Sequence, residues 1–501
     1  MLAYFPLPES NRLILILLMA IVIITPIYAQ HELSGSLSGV IETGDYYVLD
    51  SIRVNSRDSL NIEQGTTIYF CENAVFIISG WCRAVGEQGD SINFLAEDNL
   101  YGWSGITVEM RGQIDFRYCT FRHANSIAIT LYTSSGFNFR DCRFSYNSTT
   151  NNNTGSALTI FGGRSRYPIK NCVFSNNDNF VISSGLFVTI DSCNFVNNRG
   201  ILTQRLSYYN VEISNSLIIN NLSLTNEELI NGYHGLLNIH NTLFINNDLN
   251  GSSILGFRRS IVGSSFNNNT IINNYSGNYC LNLQIDANFA VENNIFYNND
   301  VNFDINIEDS LSLIAYNLFN KDDGSYFTGN YIDNGLGVVD TINANGDSSD
   351  IYHNLFLNPE LEIIDSSFVE LLSLSPCIDA GNPLSPFDPD STIADIGHKF
   401  FSQNMVRSEI IHKRKPNKDM ISIFPNPTNS TINIDLSNIE LSNKRSNISI
   451  YNILGELVQN INVNSSFISI SETSSFTSGI YFVRLMENQT VISESNLIIL
   501  K

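Results

Sequence analysis

The chain has 501 residues, with 27 Lys and Arg against 49 Asp and Glu and a formal net charge of −22. An acid excess of this size excludes a nucleic-acid binder, which needs a basic face, and 31 Phe with 22 Tyr supply more buriable surface than a disordered chain carries. Charged residues make up only 15%, well below the roughly 25% of an average globular protein, because uncharged Asn and Ser replace them.

Residues 13–24 form an apolar run preceded by Arg12 and followed by Pro26, Tyr28 and Ala29. That layout predicts a secretory signal peptide, residues 1–29, cut after Ala29. The run is too short to span a bilayer core, which takes roughly 20 apolar residues, and no later segment approaches that length. No Cys stands at the cut, so a lipoprotein anchor is disfavoured and the mature chain is expected to be soluble and extracytoplasmic.

From residue 31 onward the chain alternates in strand fashion, with short turns between segments 47–54, 58–62, 65–70, 77–80, 91–94 and 102–106. Beyond residue 110 one phrase recurs: an apolar residue, two variable residues, a small or polar residue, one variable residue, then Phe or Ile, with Asn shortly after. Its copies are Phe116/Cys119/Phe121, Phe139/Cys142/Phe144, Ile169/Cys172/Phe174, Ile190/Cys193/Phe195, Ile213/Ser216/Ile218, Ile239/Thr242/Phe244, Phe266/Asn269/Ile271, Val291/Asn294/Phe296, Ile314/Asn317/Phe319 and Ile351/Asn354/Phe356. Self-similarity at such a period marks a solenoid. Short alternating runs of Ile, Phe, Val and Thr, without a Leu-x-x-Leu-x-Leu frame, select a parallel β-helix over a leucine-rich repeat. Each coil is expected to supply about three short strands, and the stack to form a rod on the order of 60 Å long.

Stacking explains the repeated residue types. Inward Phe and Ile at one phase form a column that no single coil could bury alone. Asn147, Asn177, Asn198, Asn221, Asn247, Asn274 and Asn299 share the phase three places after the closing apolar residue. An amide has both a donor and an acceptor, so these residues are expected to form a coil-to-coil ladder at a turn; a row of Asn that binds sugar is the functional alternative. Of the eight cysteines, Cys119, Cys142, Cys172 and Cys193 occupy one phase, where small buried hydrophobes are expected. Cys71 with Cys82 is the more plausible disulfide, Cys280 and Cys377 are scattered, and no Cys/His spacing suits zinc.

Between residues 401 and 419 the pattern stops, and His412, Lys413, Arg414, Lys415 and Lys418 form the single basic cluster. It reads as a solvated linker, with contact to an acidic polysaccharide or a secretion component as the sharper alternative. Residues 420–501 alternate again without the coil period, broken by Asn-Pro, Leu-Gly and Ser-Gly turns, which predicts a small β-sandwich.

Two resemblances follow from these residues. Residues 60–70, 80–86 and 103–106 resemble the opening coils of secreted right-handed parallel β-helix proteins of the pectate-lyase-like superfamily. Ser375 to Pro383, Asp388-Pro389-Asp390 and Ala394 to Gly397 resemble their closing segments. This likeness covers about residues 40–400 and implies that the last segment closes the final coils. The second is closer. Phe424-Pro425-Asn426-Pro427, Ile450 to Gly455, Ser478 to Val483 and an apolar tail ending at Lys501 resemble the type A C-terminal sorting domain of type IX secretion substrates, Phe424 standing where Tyr is commoner. It implies a sorting motif including Pro425, Asn426, Pro427, Gly455, Gly479, Tyr481 and Lys501. It further implies the type IX machinery as partner, delivery outside a Gram-negative cell after Sec export, and removal of the domain with release or attachment to surface lipopolysaccharide.

The expected architecture is therefore all-β: a right-handed parallel β-helix solenoid over 30–400, a linker over 401–419 and a small C-terminal β-sandwich over 420–501. Enzymes of this fold use paired carboxylates for hydrolysis, or a Lys or Arg base with Ca²⁺ for uronate elimination. Neither residue set is present as a set; Asp322-Asp323 stands without its companions. The remaining ligand-binding candidates are Arg164, Arg166 and Lys170 near one turn and Arg258 with Arg259 near another, while His123, His234 and His240 also lie in the solenoid. Asp388, Asp390 and Asp395 are candidate Ca²⁺ ligands, or merely turn formers. A non-catalytic glycan- or partner-binding surface protein is the preferred reading. A polysaccharide lyase or glycoside hydrolase with an unrecognised site is the alternative.

Overall fold

The computed structural model describes residues 31–403 and 421–499, except 133–135, 150–153, 162–166, 186, 205–209, 261–262, 285–288, 309, 366, 425–427, 429–430, 437–445, 453–455, 464, 471–475 and 488–489. The expected leader and basic linker lie outside the described residues. Contacts divide the chain into two units, Met1–Ser402 and Gln403–Lys501.

The first unit is a parallel solenoid of three sheets. Sheet I has 13 strands, from His31–Glu32 to Leu318–Asn320. Sheet II also has 13, from Gly35–Ser36 to Phe327–Thr328, and sheet III has 12, from Gly39–Ile41 to Leu313–Ala315. Every third strand in the chain joins the same sheet, so each coil gives one strand to each face. At about 4.8 Å per strand the stack is about 60 Å long.

The repeated phrase spans the end of a sheet III strand, a turn and the following sheet I strand. Its closing residues stand in direct register, from Phe121 through Phe144, Phe174, Phe195, Ile218, Phe244, Ile271 and Phe296 to Phe319. All are fully buried. Consecutive rings stack nearly parallel, with centroids 4.8 Å apart at Phe121/Phe144 and Phe174/Phe195. A ladder flanks this column on each side. On one side Asn147, Asn177, Asn198, Asn221, Asn247, Asn274 and Asn299 form the expected stack, each amide donating to the next Oδ1 at 2.8–3.0 Å. On the other, Asn269, Asn294, Asn317 and Asn354 do the same at 2.9–3.1 Å, continuing the phase that begins with the cysteines.

All eight cysteines are free. Cys119, Cys142, Cys172 and Cys193 are buried, and the Cys142 thiol donates to Phe116 O at 3.3 Å. The Cys71–Cys82 bridge expected above is not formed. Cys82 points into the core from the sheet III strand Trp81–Val85, whereas Cys71 follows the sheet I strand Thr67–Phe70 and donates to Glu97 Oε2 at 2.8 Å. Glycines of the opening motifs sit where backbones nearly touch. A Cβ at Gly80 would lie 2.3 Å from the carbonyl oxygens of Asn55 and Asp58. One at Gly105, whose φ is +82°, would lie 1.9 Å from Ile127 O.

Two features depart from the expected ending. The tenth phrase does not complete a regular coil, because after Asn320 the chain makes an excursion with a small hairpin, Thr341–Ile342 against Ser348–Ser349, before Asn354 rejoins the ladder. Tyr326, Phe327, Leu336 and Tyr352 of this excursion pack onto the end of the core. The closing segment around 375–397 is not the cap. Residues 357–401 instead fold back as a strap over the outer surface of sheet I. Val369 of the hairpin Leu361–Asp365/Phe368–Leu371 packs on Ile219, Leu243, Ile245 and Ile272. Leu371, Cys377 and Ile396 pack on Ile295, Leu318 and Leu355. The strap backbone also bonds to side chains of the coils, with Asn382 N–H donating to Asn293 Oδ1 at 2.8 Å and His398 N–H to Thr270 Oγ1 at 3.1 Å.

The second unit is antiparallel. Ser422–Phe424, Ile432–Asp435 and Phe467–Ile470 form one sheet, and Leu457–Asn462, Ser446–Asn452, Gly479–Glu487 and Thr490–Ile499 the other. Ile432 and Ile434 of the first share one core with Ile448, Ile450, Val483, Leu485 and Leu497 of the second, which is the expected sandwich.

Candidate functional site

Inward alternation fixes which residues sheet III shows to solvent. In the strand Gln113–Arg117, Ile114 and Phe116 are buried, so Asp115 and Arg117 face out. Arg117 is in register with Arg140, and Arg140 with Lys170; the column continues through Asp191, Ser214, His240 and Asn267 to Glu292. Three cations thus stand over one another on successive coils, with side chains 42%, 54% and 47% exposed. Like charges directly opposed across strands destabilise a sheet, and here each is offset by a carboxylate. Arg117 Nε lies 2.9 Å from Asp115 Oδ1, Arg140 Nε 3.4 Å from Asp141 Oδ2, and Lys170 Nζ 2.6 Å from Asp191 Oδ2.

Asp191 closes the cationic stretch. Burial opposes its ionisation, but hydrogen bonds from Asn215, Lys170 and Ser192 outweigh that and hold its carboxyl down at about 2. Asp115 likewise accepts from Arg117 and, at 2.8 Å, from Asn138. Next to this column Asn61, Arg83, Asp115 and Asn138 form a second one, in which Arg83 Nη1 donates to Asn61 Oδ1 at 3.1 Å. Its first coils open onto a hollow of about 500 Å³ lined by Thr43, Asn61, Glu63, Gln64, Arg83 and Glu87.

Of the residues singled out from sequence, Lys170 belongs to this face, and Arg164 and Arg166 lie outside the described residues. Arg258 is on sheet II, in the strand Ser253–Ser260 with Arg259, and is exposed, so Lys170 and Arg258 do not share a face. A half-buried carboxyl is near Arg258. Glu228 lies across Gly256, where a Cβ would come within 2.3 Å of its carboxyl. Burial raises Glu228, Glu227 adds to the rise, and Arg258 opposes it. His240 faces Glu212 at 3.8 Å within the sheet III surface, and His123 stacks on Tyr146.

Asp388, Asp390 and Asp395 lie in the strap and serve its backbone. Asp395 accepts from the N–H groups of Asp379 at 2.7 Å and Phe401 at 2.6 Å. Asp388 Oδ2 accepts from Asp395 N–H at 2.8 Å, and Asp390 from the Thr392 hydroxyl at 2.8 Å. Among the described residues no group of three or more His, Cys, Asp and Glu is arranged to hold a metal ion.

Sequence reading missed Arg83, Arg117 and Arg140. A signal for the last two was present, because they follow the opening apolar residue of the first two phrases as Lys170 follows that of the third.

In the second unit, Pro425, Asn426, Pro427, Gly455 and Lys501 lie outside the described residues. Gly479 opens the strand Gly479–Glu487, and Tyr481 is buried, its hydroxyl donating to Thr477 O at 2.9 Å and accepting from Thr477 N–H at 2.9 Å. Residues 422–500 match the family model of the secretion system C-terminal sorting domain, and residues 104–266 that of the right handed beta helix region. The chain carries a type IX sorting domain behind a right-handed β-helix. No curated protein matches it. The β-helix extends well beyond its matched stretch, over coils from His31 to Thr328, and the sorting domain accounts for export to the cell surface or the extracellular space.

Proposed function

We propose that this protein is a non-catalytic, anionic-polysaccharide-binding rod on the outer surface of a Gram-negative cell. In this reading residues 1–29 direct Sec export, and residues 420–501 engage the type IX machinery before removal, after which the rod is released or attached to surface lipopolysaccharide. The observation that carries the binding assignment is the register of Arg117, Arg140 and Lys170. A linear polyanion running along the axis meets a cation on each of three successive coils, about 4.8 Å apart, in a chain whose net charge is −22. The carboxylates beside these cations are engaged in ion pairs and hydrogen bonds, and Asp191 is held far below the range of a general acid. A carboxylate held ionised in this way offers no proton to a leaving group, which supports binding over acid-assisted cleavage at this column.

The test is binding of alginate and polygalacturonate oligomers to the full chain at low and moderate salt. Arg140→Gln is expected to weaken binding at least fivefold and to flatten its salt dependence. Absence of binding at low salt would reject the assignment, and unsaturated products or new reducing ends would favour the enzyme reading. For export, deletion of 420–501 should leave the protein in the periplasm; normal surface delivery of that truncation would refute the sorting role.

A further inference from the structure

A second hollow lies at the turn between sheets I and II, away from the cation column. Three successive coils pass through it as residues 220–222, 246–248 and 273–275. In each the inner amide, Asn221, Asn247 or Asn274, is consumed by the buried ladder. The preceding residues, Asn220, Asn246 and Asn273, face outward from left-handed backbone with φ of 53°, 56° and 54°. Asn273 Oδ1 accepts from Asn298 at 2.7 Å, whereas the Asn220 and Asn246 amides engage no protein partner among the described residues. Leu222, Asp248 and Tyr275 follow in direct register. Together these side chains line a concavity of about 440 Å³.

Left-handed backbone accounts for Asn at each of the three positions. It does not require them to share a hollow with an apolar floor, a carboxylate and an aromatic ring that is 42% exposed at Tyr275. Free amides offer a donor and an acceptor each, Asp248 accepts from hydroxyls, and Leu222 with the Tyr275 ring suits the apolar face of a pyranose. Among the described residues no cation lines the hollow. Arg199, in register before Leu222, is paired with Asp178 at 3.2 Å, and Asp300 stands in register beyond Tyr275, so Asp248 is the one charge in the lining and a neutral chain fits better than a polyanion. The coil rise of about 4.8 Å is close to the length of one sugar unit in an extended chain, which allows successive rings to meet Asn220, Asn246 and Asn273 in turn.

We infer that the turn built from Asn220, Leu222, Asn246, Asp248, Asn273 and Tyr275 is a binding site for a neutral, extended polysaccharide lying along the solenoid axis. The site is separate in position and charge from the sheet III column and does not depend on the assignment made there. A rod with both faces can bridge a neutral and an acidic glycan strand.

Isothermal titration of the full chain with cellohexaose and mannohexaose tests this. Binding of at least one is expected. Asn220→Gly with Asn246→Gly keeps the left-handed backbone accessible while deleting both amides, and should weaken Kd at least tenfold. Tyr275→Ala should do likewise, and it decides the matter if the double variant melts early. Arg140→Gln should leave neutral-glycan binding unchanged. The inference is overturned if neither hexasaccharide binds at millimolar concentration, if binding survives both variants, or if Arg140→Gln abolishes it.

Discussion

Asn317 donates through Nδ2 to Asn354 Oδ1 at 3.1 Å across 37 residues, whereas the preceding rung, Asn294 to Asn317, spans 23. The ladder therefore sets coil register, and surplus chain is expelled as an excursion. Asp350 terminates it, accepting from Asn354 N–H at 2.9 Å and from its amide at 3.1 Å.

Removing one central rung should be costly. Asn221 donates to Phe195 O at 2.9 Å and to Asn247 Oδ1 at 3.0 Å, and accepts from Asn198 N–H at 2.8 Å and from its amide at 3.0 Å. Asn221→Ala strands a buried backbone N–H and an amide, a loss of about 2–3 kcal/mol. The denaturant midpoint should fall while binding at the sheet III column is retained; an unchanged midpoint would count against the ladder as a source of stability.

Gly80→Ala addresses the opening coils. Its Cβ would meet two backbone carbonyls at 2.3 Å, atoms that move only if the turn at 55–58 moves. A destabilisation of about 1–3 kcal/mol is expected from overpacking of this kind, read as a lower melting temperature.

The strap should respond to pH through Asp395. Burial raises its carboxyl to about 7 against the opposing backbone hydrogen bonds from Phe401 and Asp379, and Asp388 and Asp379 add to the rise. A folded value above the unfolded one means that its contribution is complete below about 4 and is lost as pH rises through 7. His398 acts in the opposite sense. Burial, aided by Lys399, lowers it to about 4, so its contribution is present above about 6.5 and lost as pH falls. Comparing the wild type with Asp395→Asn isolates the carboxyl. The stability of the wild type relative to the variant should decline between pH 4 and 7 and level off above; a constant difference would show that Asp395 does not titrate there.

Thiol chemistry should single out Cys71. It is the partly exposed member of eight free cysteines, and burial, with Glu97 as hydrogen-bond acceptor and charge, pushes it up to about 11. Iodoacetamide at pH 8 should label it slowly in the native protein and all eight after unfolding, counted by mass spectrometry. A total of six would reveal a disulfide.

What the sequence determined by itself is everything that each coil repeats: inward Phe and Ile, the amide ladder, the buried cysteine phase and the β-sandwich tail. Coil-to-coil contacts join like positions, so selection writes them into every phrase. The cation column was written there too, but the step from Arg117 to Arg140 is 23 residues and from Arg140 to Lys170 is 30, and only register across unequal loops places them together. Leu217-Ile218-Ile219 and Leu243-Phe244-Ile245 carry three apolar residues in succession, which requires burial of both faces of sheet I. Nothing local says what covers the outer one. That was decided by tertiary structure, through contacts such as Thr270 with His398, 128 residues apart. A contact made once leaves no period in the sequence, whereas a contact made on every coil does.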